Sequence, residues 1–416
     1  MTRVLLFTAF AAVLFIGCSS KKQEISQWRG PNRDGIYNET GLLKEWPEEG
    51  PEMLWSYEGL GYGHSSVAVA NNNVYVTGVK DTVSSAGVLF TFDLDGNLLW
   101  KKEYGKDFAL NFHGARSTPA VAGNLIYIES GMGKLYCLNA ENGDEVWSVD
   151  FIEEFGVDSL IQFGFSESVL IDGDHLYCVP GGQKNNVVKL DRFTGDVIWA
   201  SEGYREQATY NSPILIEHNG QRLVIATTMS SIMGMDAETG EMYWREEHTQ
   251  RNKIHANTPL YSNGRIVIAT PDPIETSGMV QLELSGDGKT AEVVWRNKKL
   301  RSFMGGIIQI DTCIYGSSYL KNNWEVLSWN TGETLVQNKE FGGGPIIYAD
   351  GLFYGYGERH GEMALMAASP EKFEIISRFK VPLGTDEHWA HPVIADKKLF
   401  IRHGNALMVY DIAAKT

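Results

Sequence analysis

At 416 residues, 43% hydrophobic and 21% charged, the chain has ample material for a folded core and too little charge for general disorder. Its formal charge of -16 excludes the basic surface that neutralises phosphates, so no nucleic-acid partner is expected. Four cysteines, with no C-x-x-C and no adjacent pair, exclude a haem attachment site and a structural zinc site.

The chain opens with Arg3 and an apolar run from Val4 to Ile16, too short to span a bilayer but suited to an export signal. The run ends at Gly17-Cys18, a small residue before cysteine, which resembles a bacterial lipobox. Residues 1–17 are therefore expected to be a lipoprotein signal peptide, with Cys18 lipidated; an ordinary signal peptide is the alternative. Ser19, Ser20, Lys21 and Lys22 follow without an acidic cluster, which favours an outer-membrane anchor facing the periplasm. Residues 18–52 read as a tether and a segment packing on the domain at 53–416.

From Trp55 onwards one design recurs. The phrases DGNLLW ending at Trp100, ENGDEVW at Trp147, FTGDVIW at Trp199 and ETGEMYW at Trp244 each place a polar residue and a glycine before an alternating strand. The glycine suits the positive φ of a hairpin turn, and the tryptophan is expected to fill the gap between neighbouring repeats. Trp295 follows a longer turn, and Thr331-Gly332-Glu333 leads to Val336 with no tryptophan, so the later copies are degenerate. A second pattern follows each phrase: a short strand, a tight turn and another strand, as in Ser117 to Tyr127. Its partners begin at Ser65, Glu167, Asn211, Asn257, Gly305, Gly343 and Ala390, which makes eight openings. Tryptophans spaced by about 45–50 residues match the repeat of four-stranded propeller blades. The prediction is an all-β, eight-bladed β-propeller of antiparallel blades, with seven blades if one degenerate repeat is miscounted. The last opening lacks an outer strand, and Met53 to Tyr57 around Trp55 supplies one, closing the ring and removing free edges.

This combination of openings, Thr-Gly-Asp or Thr-Gly-Glu turns and closing tryptophans resembles the pyrroloquinoline-quinone-type (PQQ-like) repeat over residues 53–412. With the lipobox, the chain looks most like the propeller lipoprotein of the outer-membrane β-barrel assembly machinery, which implies a binding scaffold and no cofactor. The stretch Gln27 to Gly35, QWRGPNRDG, is similar to the opening of a broad group of bacterial exported propellers.

The connections into each blade line one mouth of a propeller channel. Four residues before Pro119 and its equivalents stand Gly63, Ala115, Phe165, Thr209, His255, Phe303, Phe341 and His388; next come His64, Arg116, Ser166, Tyr210, Ala256, Met304, Gly342 and Trp389. Such variety suits an adapted surface, and the mouth-binding candidates are His64, His113, Arg116, Tyr210, His255, His388, Trp389 and His391. Channel packing is the alternative reading of each. The resemblance also leaves open a quinone-dependent dehydrogenase of a sugar or alcohol, with PQQ over calcium held by Glu167, Asn211 and Asn257, although no general base stands out. A third reading is a carbohydrate-binding or lyase-like propeller using His and Tyr. Tyr104, Phe108, Phe112, Phe151, Phe155, Phe163 and Phe165 are expected on exposed loops, and the connection from Asp150 to Phe165 is expected to cap the channel or meet a partner. The expected partner is an envelope protein or a saccharide. Cys137, Cys178 and Cys313 read as small core residues.

Overall fold

The predicted hairpins pair as four-stranded antiparallel sheets, eight of them, in a computed structural model that describes residues 25–249, 254–271, 278–319 and 321–415. Cys18 and the expected signal peptide lie outside the described residues. Each opening starts one sheet, so the seven-blade count falls away. Blade 2 is representative, with strands Ala120–Ala122, Leu125–Ser130, Lys134–Asn139 and Glu145–Asp150 running from the channel outwards. Blade 8 takes its outer strand from Met53–Glu58, with Trp55 opposite Val409, and this pairing closes the ring. Cys137, Cys178 and Cys313 are buried and free.

Tryptophan and glycine recur together because they touch across the gap between blades. Trp55, Trp100, Trp147, Trp199 and Trp295 lie against Gly96, Gly143, Gly195, Gly240 and Gly332 of the next blade's turn. The indole N–H groups of Trp55, Trp147, Trp199 and Trp295 donate to carbonyls of Leu94, Arg192, Ala237 and Trp329 in those turns, at 3.0–3.2 Å. Where the phrase degenerates, Trp324 stacks on Phe341 at 5.8 Å and on Phe373 at 6.3 Å. Gly195→Ala tests this contact: at φ 79°, with its new methyl meeting the Trp147 ring, the variant is expected to lose about 1–2 kcal/mol in a urea titration.

Every outer strand carries a register shift beside its tryptophan position. One residue per blade is thereby left without a partner: Leu99, Val146, Ile198, Tyr243, Val294, Leu335, Ile376 and, in blade 8, Leu54. All are apolar or aromatic, yet Leu99, Val146 and Ile198 are 50%, 49% and 47% exposed.

The segment before Trp55 threads the channel. Ile25 and Ser26 pair antiparallel with Ala122 and Val121 of blade 2, and Ile36 and Tyr37 pair in parallel with Tyr348 and Ala349 of blade 7. Inner strands run from the mouth formed by the connections, the near mouth, towards the far one. The segment therefore climbs from the far mouth, turns at 27–35 and descends. At the turn the Arg33 guanidinium donates to Ser168 O (2.6 Å) and Val169 O (3.0 Å), and Arg29 donates to Ile307 O (2.8 Å). The Trp28 indole donates to Thr258 Oγ1 at 3.0 Å. Gly306, at φ 78°, is required here, because a β-carbon on it would fall inside the Arg29 guanidinium.

Candidate near-mouth pocket

The site grows out of the first residues of the inner strands. Hydroxyls there tie blade to blade: Ser66 N–H donates to Thr118 Oγ1 (2.9 Å), Thr118 N–H to Ser168 Oγ (2.9 Å) and Ser168 N–H to Ser212 Oγ (3.0 Å). Just ahead of the inner strands, the earlier of the two aligned positions is buried in the blades at Ala115, Phe165, Thr209, His255 and Phe341, whereas Phe303 lines the channel. The later one faces a cavity of about 290 Å³, lined by His64, Arg116, Ser166, Tyr210, Ala256, Met304 and Trp389.

Of the sequence candidates, His64, Arg116, Tyr210, Trp389 and His391 come together in this cavity. The other three do not line it. His113 stands edge-on to Tyr62 at 4.1 Å; His255 is fully buried beside His248 at 5.2 Å; and His388 stacks on His403 at 3.7 Å while sharing a hydrogen bond with the Tyr356 hydroxyl. Sequence reasoning missed Trp28, which forms the floor, together with Phe303 and Tyr319, stacked 5.0 Å apart in the wall. A signal for the floor existed: Gly306, against the Arg29 guanidinium, stands where blades 1 to 5 carry Ser66, Thr118, Ser168, Ser212 and Thr258.

An aromatic collar surrounds the opening. Trp389 contacts His64 at 4.9 Å and Phe112 at 5.4 Å; Phe112 meets Phe163 at 5.9 Å, and Phe163 meets Tyr210 at 5.9 Å. Only part of the expected exposed aromatic set is exposed. Phe112 is, and Phe163 reaches the cavity, but Tyr104, Phe108, Phe151, Phe155 and Phe165 are buried. The connection after Asp150 begins as a short helix, Phe151–Phe155, capped by the Asp150 carboxylate, and it turns Phe151 and Phe155 into the core between blades 2 and 3. Neither residue caps the channel.

The polar groups of the pocket are few and mostly uncharged. Nδ1 of His391 is buried without a hydrogen-bond partner among the described residues, while its Nε2 bonds Met304 O at 2.9 Å; the buried His64 ring meets the His113 backbone. Burial, then the Arg116 and Arg402 charges, hold His64 well below the usual histidine range. Burial and the Arg29 charge press His391 down to about 3. Both are neutral imidazoles at physiological pH. Burial also lowers Arg116, to about 10, leaving it a cation; it donates to the carbonyls of Phe112 and Gly114 and lies over the Phe108 ring. Glu387 stands 4.0 Å from His64 at the rim.

Glu167, Asn211 and Asn257, expected to hold calcium under a quinone, each make hydrogen bonds at strand entries. Asn257 Oδ1 accepts from Gly306 N–H (2.9 Å) and the Ser302 hydroxyl (3.2 Å), and its amide donates to Ala269 O at 2.8 Å. Asn211 donates to Thr227 Oγ1, and Glu167 Oε2 accepts from Val179 N–H at 2.8 Å. These bonds staple strand entries; the Asn257 oxygen is already occupied, while Glu167 Oε1 has no hydrogen-bond partner among the described residues. Among the described residues no cluster of three or more His, Cys, Asp or Glu is arranged to hold a metal.

Comparison with known proteins agrees with this architecture. The family described as outer membrane protein assembly factor BamB matches residues 85–338, from the third strand of blade 1 through blade 6. The chain is 26% identical over 211 residues to the outer membrane protein assembly factor BamB of Kangiella koreensis, a match covering 50% of this chain and 48% of that protein. It therefore spans about half the length of that relative. Among solved structures it is similar to BamB from Moraxella catarrhalis, with TM-score 0.62, 14% identity and coverage of 88% of this chain and 98% of that one. It is also similar to the quinohemoprotein alcohol dehydrogenase from Comamonas testosteroni, with TM-score 0.63, 12% identity and coverage of 92% and 80%. At such identities these two likenesses speak for the fold alone.

Proposed function

The chain belongs to the family of the outer membrane protein assembly factor BamB, and from that premise we propose that it is a lipid-anchored, non-catalytic scaffold on the periplasmic side of the outer membrane. Its partner in this reading is an envelope protein engaged in outer-membrane protein assembly. The family match across blades 1 to 6 carries the proposal. Two features of the ring support it. Its channel is filled from within by residues 27–35, as befits a rigid platform, and the outer strands present exposed apolar residues such as Leu99, Val146 and Ile198 on open sheet edges. Apolar side chains held outward on a rigid edge are features a partner protein covers. The reading needs no cofactor, and Cys18 supplies the tether.

Photo-crosslinking in the envelope tests it. A photoreactive residue at position 99, 146 or 198 is expected to capture one discrete envelope protein, and Leu99→Glu combined with Ile198→Glu to abolish its co-purification. Cys18→Ala is expected to move the chain from the membrane fraction to the soluble periplasm. Absence of any crosslinked species from all three positions, or unchanged fractionation of Cys18→Ala, would overturn the partner surface or the anchor respectively.

A further inference from the structure

The pocket has chemistry that the scaffold reading does not use. Its floor is Trp28 and its mouth is open, so it is a cup rather than a tunnel, at the small end of the range for small-molecule sites. Flat apolar faces stand around it in Trp389, Tyr210, Phe163, Phe303 and Tyr319. Between those faces are imidazole nitrogens with room for a ligand: His391 Nδ1, which has no hydrogen-bond partner among the described residues, and the His64 ring, whose nitrogens meet only the His113 backbone and Glu387 at 4.0 Å. A buried polar atom left unsatisfied costs about 1–3 kcal/mol, so a ligand that pairs with these nitrogens recovers free energy.

Each class of ligand can be weighed against this lining. A purely apolar molecule would leave the imidazoles unpaired. An anion would find a single guanidinium, Arg116, already occupied by two carbonyls and faced at the rim by Glu387 beside His64. A peptide strand would need free backbone N–H groups, and those of Ser66, Thr118 and Ser168 are spent on the hydroxyl belt. A sugar ring has what remains: apolar C–H faces for the aromatic walls and, at its edge, hydroxyls that both donate and accept. A neutral imidazole offers one donor and one acceptor, so it matches a hydroxyl in either sense. Ser166, Ser168 and Ser212 add hydroxyls to the wall.

We propose that the near-mouth pocket binds a neutral saccharide ring, stacked against the Trp389 side of the collar and hydrogen-bonded by His64 and His391. The proposal stands apart from the scaffold reading, because it uses the channel mouth rather than the outer strands. The experiment is a titration of the purified mature chain with glucose, N-acetylglucosamine, cellobiose and chitobiose, followed by calorimetry and by tryptophan fluorescence, since Trp28 and Trp389 both face the cup. Glucuronic acid and indole serve as the anionic and apolar probes.

The expected result is saturable binding of at least one neutral sugar, weakened at least tenfold by Trp389→Ala and by His64→Leu. Because either change disturbs a buried site, Tyr210→Phe and Trp389→Phe are measured beside them; each keeps a ring in place, and each is expected to weaken binding less than Trp389→Ala. Crosslinking from position 99 should be unaffected by all four substitutions, so loss of one reading leaves the other standing. No saturable signal with any neutral sugar, tighter binding of glucuronic acid or indole, or affinity unchanged in both Trp389→Ala and His64→Leu would overturn the assignment.

Discussion

Arg33→Ala is expected to cost the ring about 3 kcal/mol, seen as a lowered urea midpoint with an unchanged slope. The guanidinium is enclosed and donates to Ser168 O at 2.6 Å and Val169 O at 3.0 Å. It is also the cation that faces the Glu167 carboxyl. Truncation leaves two buried carbonyls without a donor and removes that charge. Arg33→Lys is expected to recover only part of the loss, since an ammonium is a point donor without the planar fork that spans two acceptors. Arg33 also holds φ at 61°, so Arg33→Gly separates backbone strain from the lost bonds: glycine relieves the first and not the second. A midpoint shift no larger than that of the surface change Lys101→Ala would mean that residues 27–35 lie in the channel without bracing it.

Glu129→Gln is expected to act in the opposite direction and only at higher pH. Glu129 lies on the second strand of blade 2, Leu125–Ser130, and its carboxyl is buried with no side-chain hydrogen-bond partner among the described residues. Burial raises its pKa well above the ordinary glutamate value of 4.5, and the nearby Glu167 and Asp107 carboxyls add to the rise. The folded state therefore keeps a proton that the unfolded chain releases, so this group's contribution to stability is full at acid pH and is lost as pH climbs above 4.5. The amide of glutamine stays neutral in both states. At pH 5 the two proteins should unfold at similar urea concentrations; above that the variant should gain about 1.4 kcal/mol per pH unit for as long as Glu129 stays protonated in the fold. A difference between variant and wild type that stays flat from pH 5 to pH 8 would show that Glu129 ionises freely in the folded ring.

The repeat was readable because its parts answer to one another. A glycine in the turn and a tryptophan one blade earlier are two halves of a single contact, as with Trp147 on Gly195, so the phrase marked both fold and spacing. Trp55 betrayed the ring closure for the same reason. The threaded segment was not readable as such. Gln27 to Gly35 has neither period-two nor helical pattern, and its clue lay far away, in Gly306, where Ser66, Thr118, Ser168, Ser212 and Thr258 mark the equivalent position. The histidines divided by position: His64 and His255 stand in adjacent aligned columns, and the first lines the channel while the second is buried in the blades beside His248. The sequence around Phe151 and Phe155 has the look of an open loop, whereas the cap at Asp150 winds it into a helix with those rings inward.

The threaded segment also decides how the molecule carries load. Its chain enters and leaves by the same far mouth, so tension on the residues ahead of Ile25 pulls the turn back towards its opening. Arg33 resists at blade 3, Trp28 at blade 5 and Arg29 at blade 6, three points on the half of the ring opposite the seam. The arrangement is that of a toggle in a buttonhole: a pull is shared among separate blades as hoop compression and is kept off the seam at Met53–Glu58, where a direct tug on the closing strand would unzip the ring.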